Sequence, residues 1–244
     1  MNHLSDRGIL IAVEGIDGAG KTTQVNLLRE ALERVGEIPI TSKEPTNGPW
    51  GKIIKESATA GRLSLKDELD AFIKDRTQHV SELVQPALDN GSIVILDRYF
   101  YSSIAYQGSR GEDYRIVKGI MEEKFPIPDA VFILDIDPIV SVHRIANSRG
   151  EQPNHFEDRA NLAKAREIFN RLSDPNIHNI DGDRSRQAVH AEILDRFIEG
   201  ALKKKRCAKQ YGCDDPFHCT FRITDTCEWV RLARALRSVD PITV

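Results

Sequence analysis

The chain has 244 residues, 40% of them hydrophobic and 29% charged, which is the composition of an ordinary globular protein. A formal charge of −3 argues against a general binder of nucleic acid, which needs a large basic excess. No apolar run approaches the ~20 residues that span a bilayer. Residues 1–8 carry Asp6 and no apolar h-region, so a cytoplasmic protein without a membrane partner is expected.

Strand-like apolar runs alternate with longer amphipathic stretches. Residues 9–13 read as a first strand. Gly15-Ile16-Asp17-Gly18-Ala19-Gly20-Lys21-Thr22 follows and fits G-x-x-x-x-G-K-[ST] in full, with Thr23 continuing it. Glycines let the backbone turn tightly, so that successive N–H groups face one phosphate. A helix over 21–35 then adds the positive end of its dipole. Lys21 can reach the β- and γ-phosphates, and the Thr22 hydroxyl suits Mg²⁺.

A second strand is expected over 38–42, then helices over 52–60 and 65–90, the latter closed by Asn90-Gly91. Residues 93–96 form the third strand, and Asp97 at its carboxyl end is where a second acid beside Mg²⁺ belongs in a nucleotide-binding fold. Arg98 comes next, and Ser102, Ser103, Tyr106 and Gln107 follow on an expected helix. Ser103, Tyr106 and Gln107 fall at i, i+3 and i+4, so one face can carry all three. An arginine with hydroxyls and an amide suits a small polar phosphate ester.

Beyond this lie a helix over 114–124, a strand over 130–135, helices over 138–147 and 157–172, a strand over 176–180 and a helix over 186–203. Strands without strict alternation suit a parallel sheet buried on both faces. The predicted class is therefore α/β, with right-handed crossovers placing helices on both sides. The sequence changes character after the basic run 203–206, which reads as a solvated helix end, so a boundary is drawn near Gly200.

Three segments, "EGIDGAGKTTQ", "DAFIKDRTQHV" and "LDRYFYSSIAYQG", together resemble the thymidylate kinase family, and the resemblance runs from about Ile9 to Phe197. It implies a phosphate-loop nucleoside monophosphate kinase fold: a five-stranded parallel sheet, helices on both faces and a lid. The implied reaction moves the γ-phosphoryl group of ATP to dTMP, with Mg²⁺, in a homodimer. By the same resemblance, residues 15–23 hold the ATP phosphates, with Lys21 on the transferring group and Thr22 and Asp97 on the metal. Asp17 contacts the acceptor's sugar or its metal environment. Phe72 stacks on thymine, Arg76 hydrogen-bonds it, and Arg98 holds the acceptor phosphate. Pro45, Ser103, Tyr106 and Gln107 complete that pocket, with Tyr106 disfavouring a 2′-hydroxyl. "VHRIANSRGEQPNHFED", residues 142–158, looks like the lid, whose Arg144 and Arg149 would fold over the phosphates. Residues 179–183 resemble the loop on the adenine side. The chain departs from the family pattern at Asn154-His155, at Lys43-Glu44-Pro45-Thr46-Asn47 and at Phe169. These leave phosphoryl transfer intact and bear on acceptor choice, so dUMP or a modified pyrimidine stands as the alternative acceptor. A nucleotide-dependent regulator built on a kinase-like core is the alternative class.

The division is thus a kinase domain over 1–200 and a cysteine-containing helical extension over 201–244. That extension spaces Cys207, Cys213, Cys219 and Cys227 as C-x₅-C-x₅-C-x₇-C, with His218 beside Cys219. Such a set suits a structural zinc ion. The spacing is not the usual C-x₂-C, so two other readings stay open. One is buried thiols packing a tail whose apolar stripe is Trp229, Leu232 and Leu236. The other is disulfides, which the expected compartment disfavours.

Overall fold

The computed structural model describes residues 7–149, 159–206 and 228–238. Five parallel strands form one sheet in the order β2-β3-β1-β4-β5. They are β1 (Ile9–Glu14), β2 (Ile40–Lys43), β3 (Ile93–Asp97), β4 (Ala130–Asp135) and β5 (Ile177–Asp181). Every residue of β1 and β3 is buried, as expected for apolar runs covered on both faces. Pairing aligns Val13 with Asp97 and Glu14 with Ile133, so the carboxyl ends of the central strands meet at one edge of the sheet.

The helices are α1 (Lys21–Arg34), α2 (Pro49–Ala60), α3 (Leu65–His79), α4 (Gln85–Asp89), α5 (Phe100–Ser109), α6 (Tyr114–Lys124), α7 (Pro138–Arg149), α8 (Arg159–Arg171), α9 (Arg186–Phe197) and α10 (Glu228–Ser238). Helix α1 packs with α9, while α5 packs with α3, α6 and α8. No helix among the described residues is long and apolar enough to cross a membrane.

Several limits differ from the sequence expectation. The second strand begins at Ile40, because Ile38 is 85% exposed and pairs with nothing in the sheet. Helix α2 starts at Pro49, the residue best suited to a first helical turn, behind Gly48. The expected helix 65–90 is broken by a π-helical turn, Val80–Val84. Pro86 lacks an N–H to donate back to Glu82, and widening the turn just before it absorbs the lost bond.

Helix α9 also runs into a π-helical turn, Ile198–Leu202, and stays helical to residue 206, so the chain crosses Gly200 inside a helix. Helix α10 docks there. Trp229 donates its indole N–H to the Ile198 carbonyl at 3.1 Å, and Trp229, Ala233 and Leu236 are buried in the same hydrophobic cluster as the sheet. Leu232 is half-buried beside them. Arg237 binds Asp195 and Glu199 at 2.8 and 2.6 Å. The four cysteines and His218 lie outside the described residues.

Candidate active site

The glycine loop lies between the end of β1 and the start of α1. A Cβ at Gly15, whose φ is +131°, would sit 2.5 Å from the Leu134 carbonyl oxygen. One at Gly18, φ +73°, would sit 2.7 Å from the Ser141 carbonyl oxygen. Both positions need glycine for backbone conformation and for close approach. Within the loop Ile16 and Ala19 are buried, Gly20 caps α1, and Thr23 lies in the first turn of that helix. Lys21 is 6% exposed, and its Nζ donates to the carbonyls of Gly15 (3.0 Å) and Ile16 (2.7 Å). Burial, with Arg98 nearby, lowers its pKa to about 8.

Across the sheet edge, the Thr22 hydroxyl donates to Asp97 Oδ2. Lys43, at the end of β2, places its Nζ 3.2 Å from the same oxygen and 3.5 Å from Thr22 Oγ1. Asp97 is 3% exposed, and its Oδ1 has no hydrogen-bond partner among the described residues. Burial opposes ionisation of Asp97, yet Lys21, Lys43 and Arg98 together hold its carboxyl below the usual range.

Arg98 takes a left-handed backbone conformation, φ +71°, unusual for a residue with a Cβ and typical of functional sites. Its N–H donates to the Val13 carbonyl at 3.1 Å, and its guanidinium reaches Asp17 and, at 3.2 Å, the Ser102 hydroxyl. Asp17 also accepts from the Tyr106 hydroxyl at 2.8 Å, while the backbone N–H of Asp17 donates to the same phenol at 3.1 Å. One carboxylate from the glycine loop thus holds the arginine that follows β3 and the tyrosine of α5.

Beside this cluster opens a cavity of about 240 Å³. Phe72 and Arg76, one turn apart on α3, both line it, with Asp17, Pro45, Arg98 and Tyr106. The structure therefore gathers most of the sequence-predicted acceptor residues round one space. Two are placed elsewhere. Ser103 faces Arg76 and accepts from its Nη2 at 3.1 Å. Gln107 is fully buried and donates to Glu68 at 3.0 Å, outside the cavity lining. Helical spacing put it on the Ser103–Tyr106 face, but α3 covers that end with the buried Glu68 carboxylate. Arg144 donates to the Gly182 carbonyl at 3.2–3.3 Å and lies 3.8 Å from Asp183. It belongs with the segment expected on the adenine side and makes no described bond to the glycine loop. Residues 150–158 of the expected lid, and the side chain of Arg149, lie outside the described residues.

Sequence reasoning missed Lys43 and Glu14. Glu14 is fully buried at the end of β1 and accepts from the N–H groups of Tyr99 (2.7 Å) and Ser102 (3.2 Å) and from the Ser102 hydroxyl (2.6 Å). Burial raises its pKa to about 7. The available signal was an acid closing an otherwise apolar strand directly before Gly15.

The family model described as thymidylate kinase matches residues 13–193 of the chain. A thymidylate kinase of Xanthomonas campestris pv. campestris (strain B100) is 46% identical over 207 residues, covering 82% of this chain and 90% of the relative. One from Xylella fastidiosa (strain M23) is 43% identical over 194 residues, covering 79% and 88%. One from Xanthomonas euvesicatoria pv. vesicatoria (strain 85-10) is 45% identical over 198 residues, covering 79% and 86%.

Proposed function

Because the chain belongs to the thymidylate kinase family, whose reaction is phosphoryl transfer to dTMP, we propose that it moves the γ-phosphoryl group of ATP to dTMP across the space between its glycine loop and the Phe72–Arg76 cavity. The observation that carries this reading is the single Asp17 carboxylate, which ties the phosphate loop to Arg98 and Tyr106 at the cavity wall.

The attacking group is a phosphate oxygen of the acceptor, already an anion, so no general base is required. What the protein must supply is alignment and positive charge. The backbone N–H groups of residues 15–22 receive the donor phosphates. Lys21, freed from two carbonyls, follows the transferring group. Arg98, clamped by Asp17, and Lys43, exposed at the mouth of the cavity, hold the acceptor phosphate in line. Phe72 offers a stacking face worth ~1–3 kcal/mol for a base. The Thr22 hydroxyl and the orphaned oxygen of Asp97 form a hard oxygen set that fits Mg²⁺ with waters completing its shell. Held there, Mg²⁺ would offset charge on the phosphate oxygens. Arg144 sits where it can border the adenine. Arg149, on the family resemblance, serves the closing lid, and two copies of the chain form a homodimer.

A coupled ADP-release assay over dTMP, dUMP, UMP, CMP and dGMP tests the reading. Turnover should be fastest with dTMP and should require a divalent cation. Faster turnover of dUMP would move the assignment to the alternative acceptor, and no turnover with any of them would favour a regulator built on this core.

A further inference from the structure

Arg76 is 1% exposed although it lines the cavity. Its Nε donates to Glu44 Oε2 at 2.8 Å, Nη1 to Met121 Sδ at 3.2 Å and Nη2 to Ser103 Oγ at 3.1 Å. The rings of Tyr99 and Phe125 each lie 5.4 Å from the guanidinium carbon. A guanidinium only donates, so whatever N–H groups it keeps for a ligand can meet only acceptors.

The second oxygen of Glu44 is also committed. Oε1 lies 2.9 Å from His79 Nδ1, and His79 Nε2 lies 2.8 Å from the Ser42 hydroxyl. Glu44 and His79 are both buried, at 2% and 6% exposure. The network closes with Nδ1–H donating to Glu44 and the Ser42 hydroxyl donating to Nε2, a tautomer assigned from the partners. This chain of contacts runs from the end of β2, through the segment that follows it, to the last turn of α3. None of these bonds involves residues 15–22.

We propose that Glu44 and His79 are positioning residues for base selection. His79 fixes the Glu44 carboxylate, Glu44 fixes Nε of Arg76, and the donors left on Arg76 then favour a pyrimidine with a carbonyl at C4 over one with an amino group there. The proposal rests on the acceptor reading of the cavity given above. A carboxylate held on one side only could rotate, and the arginine would follow it. In that case the plane of its donors would no longer be set before the base arrives, and an amino-bearing ring would be rejected less strictly.

The test compares full-length wild type with His79→Leu, His79→Asn and Glu44→Gln. The Kd for dTMP and for dCMP is measured by calorimetry, with KM for ATP and Tm alongside. Losing one charge-assisted hydrogen bond is expected to weaken dTMP binding about tenfold in His79→Leu and to narrow the dTMP-over-dCMP preference by a similar factor. KM for ATP should stay near the wild-type value. His79→Asn places an amide N–H where Nδ1–H was and should recover most of the preference. Glu44→Gln keeps the shape and serves if His79→Leu fails to fold; it too should narrow the preference. An unchanged preference in Glu44→Gln and in folded His79→Leu, with only Tm lowered, would reduce the network to glue between β2 and α3 and overturn the proposal. So would His79→Asn behaving like His79→Leu. Turnover of dTMP by the wild type judges the acceptor reading separately.

Discussion

Lys21 rests on two loop carbonyls, with its pKa lowered to about 8 by burial and by Arg98. On the proposed reading, its charge follows the moving phosphoryl group. Lys21→Ala should therefore lose about 10²-fold or more in kcat while its circular dichroism spectrum stays that of the wild type. A titration consequence goes with it. The lysine carries its charge below about pH 8 and loses it above, so kcat/KM for ATP, which reports the free enzyme, should fall as pH rises through that value. Lys21→Arg, charged throughout, should flatten the falling limb; a profile identical in both proteins would assign it to another group. Tyr106 gives a third expectation. Its ring closes the pocket beside Asp17, so Tyr106→Ala should narrow the preference for dTMP over UMP and cost some turnover with dTMP, because Asp17 loses a donor. Competition between the two acceptors measures it.

At the scale of the element, much of the fold was legible. Strands β1, β3 and β4 announce themselves as apolar runs because both their faces are buried, and the glycine loop is a local pattern whose neighbours in sequence are also its neighbours in space. Edge strands were harder: β2 alternates between half-buried and exposed residues, so the apolar Ile38 misled its start. The π-helical turns were invisible, since a widened turn keeps the composition of a helix. Contacts between distant residues were invisible too. Glu44 and His79 stand 35 positions apart, and no spacing rule joins them. Helical periodicity grouped Gln107 with Ser103 and Tyr106 but could not say which neighbouring helix would cover it. The apolar stripe of α10 was readable; it joins the common core, and its Trp229 bonds to the turn Ile198–Leu202. Trp229→Ala removes a buried ring and its bond to Ile198, and should cost about 3 kcal/mol, seen as a lower denaturation midpoint with turnover per folded molecule unchanged.

For the whole molecule, the strand order sets β1 between β3 and β4, so the loop after β1 and the Asp97–Arg98 pair at the end of β3 share one edge. The site is assembled from pieces more than 80 positions apart, such as Asp17 and Arg98, and forms only when the sheet does. Ligands that bind this edge should then stabilise the entire fold. With dTMP at 100 times its Kd, the gain should be about 2.7 kcal/mol, read as a raised Tm, and Arg98→Ala should lose most of it. The docking of α10 has a further consequence during synthesis. A ribosome releases the amino-terminal end first, so the sheet and α9 can form while Trp229 is still inside the exit tunnel. Until it emerges, the turn Ile198–Leu202, whose Ile198 carbonyl takes the Trp229 N–H in the finished protein, is open to other apolar chains. A released chain truncated before residue 228 should therefore recruit hydrophobic-binding chaperones, and the full-length chain should not.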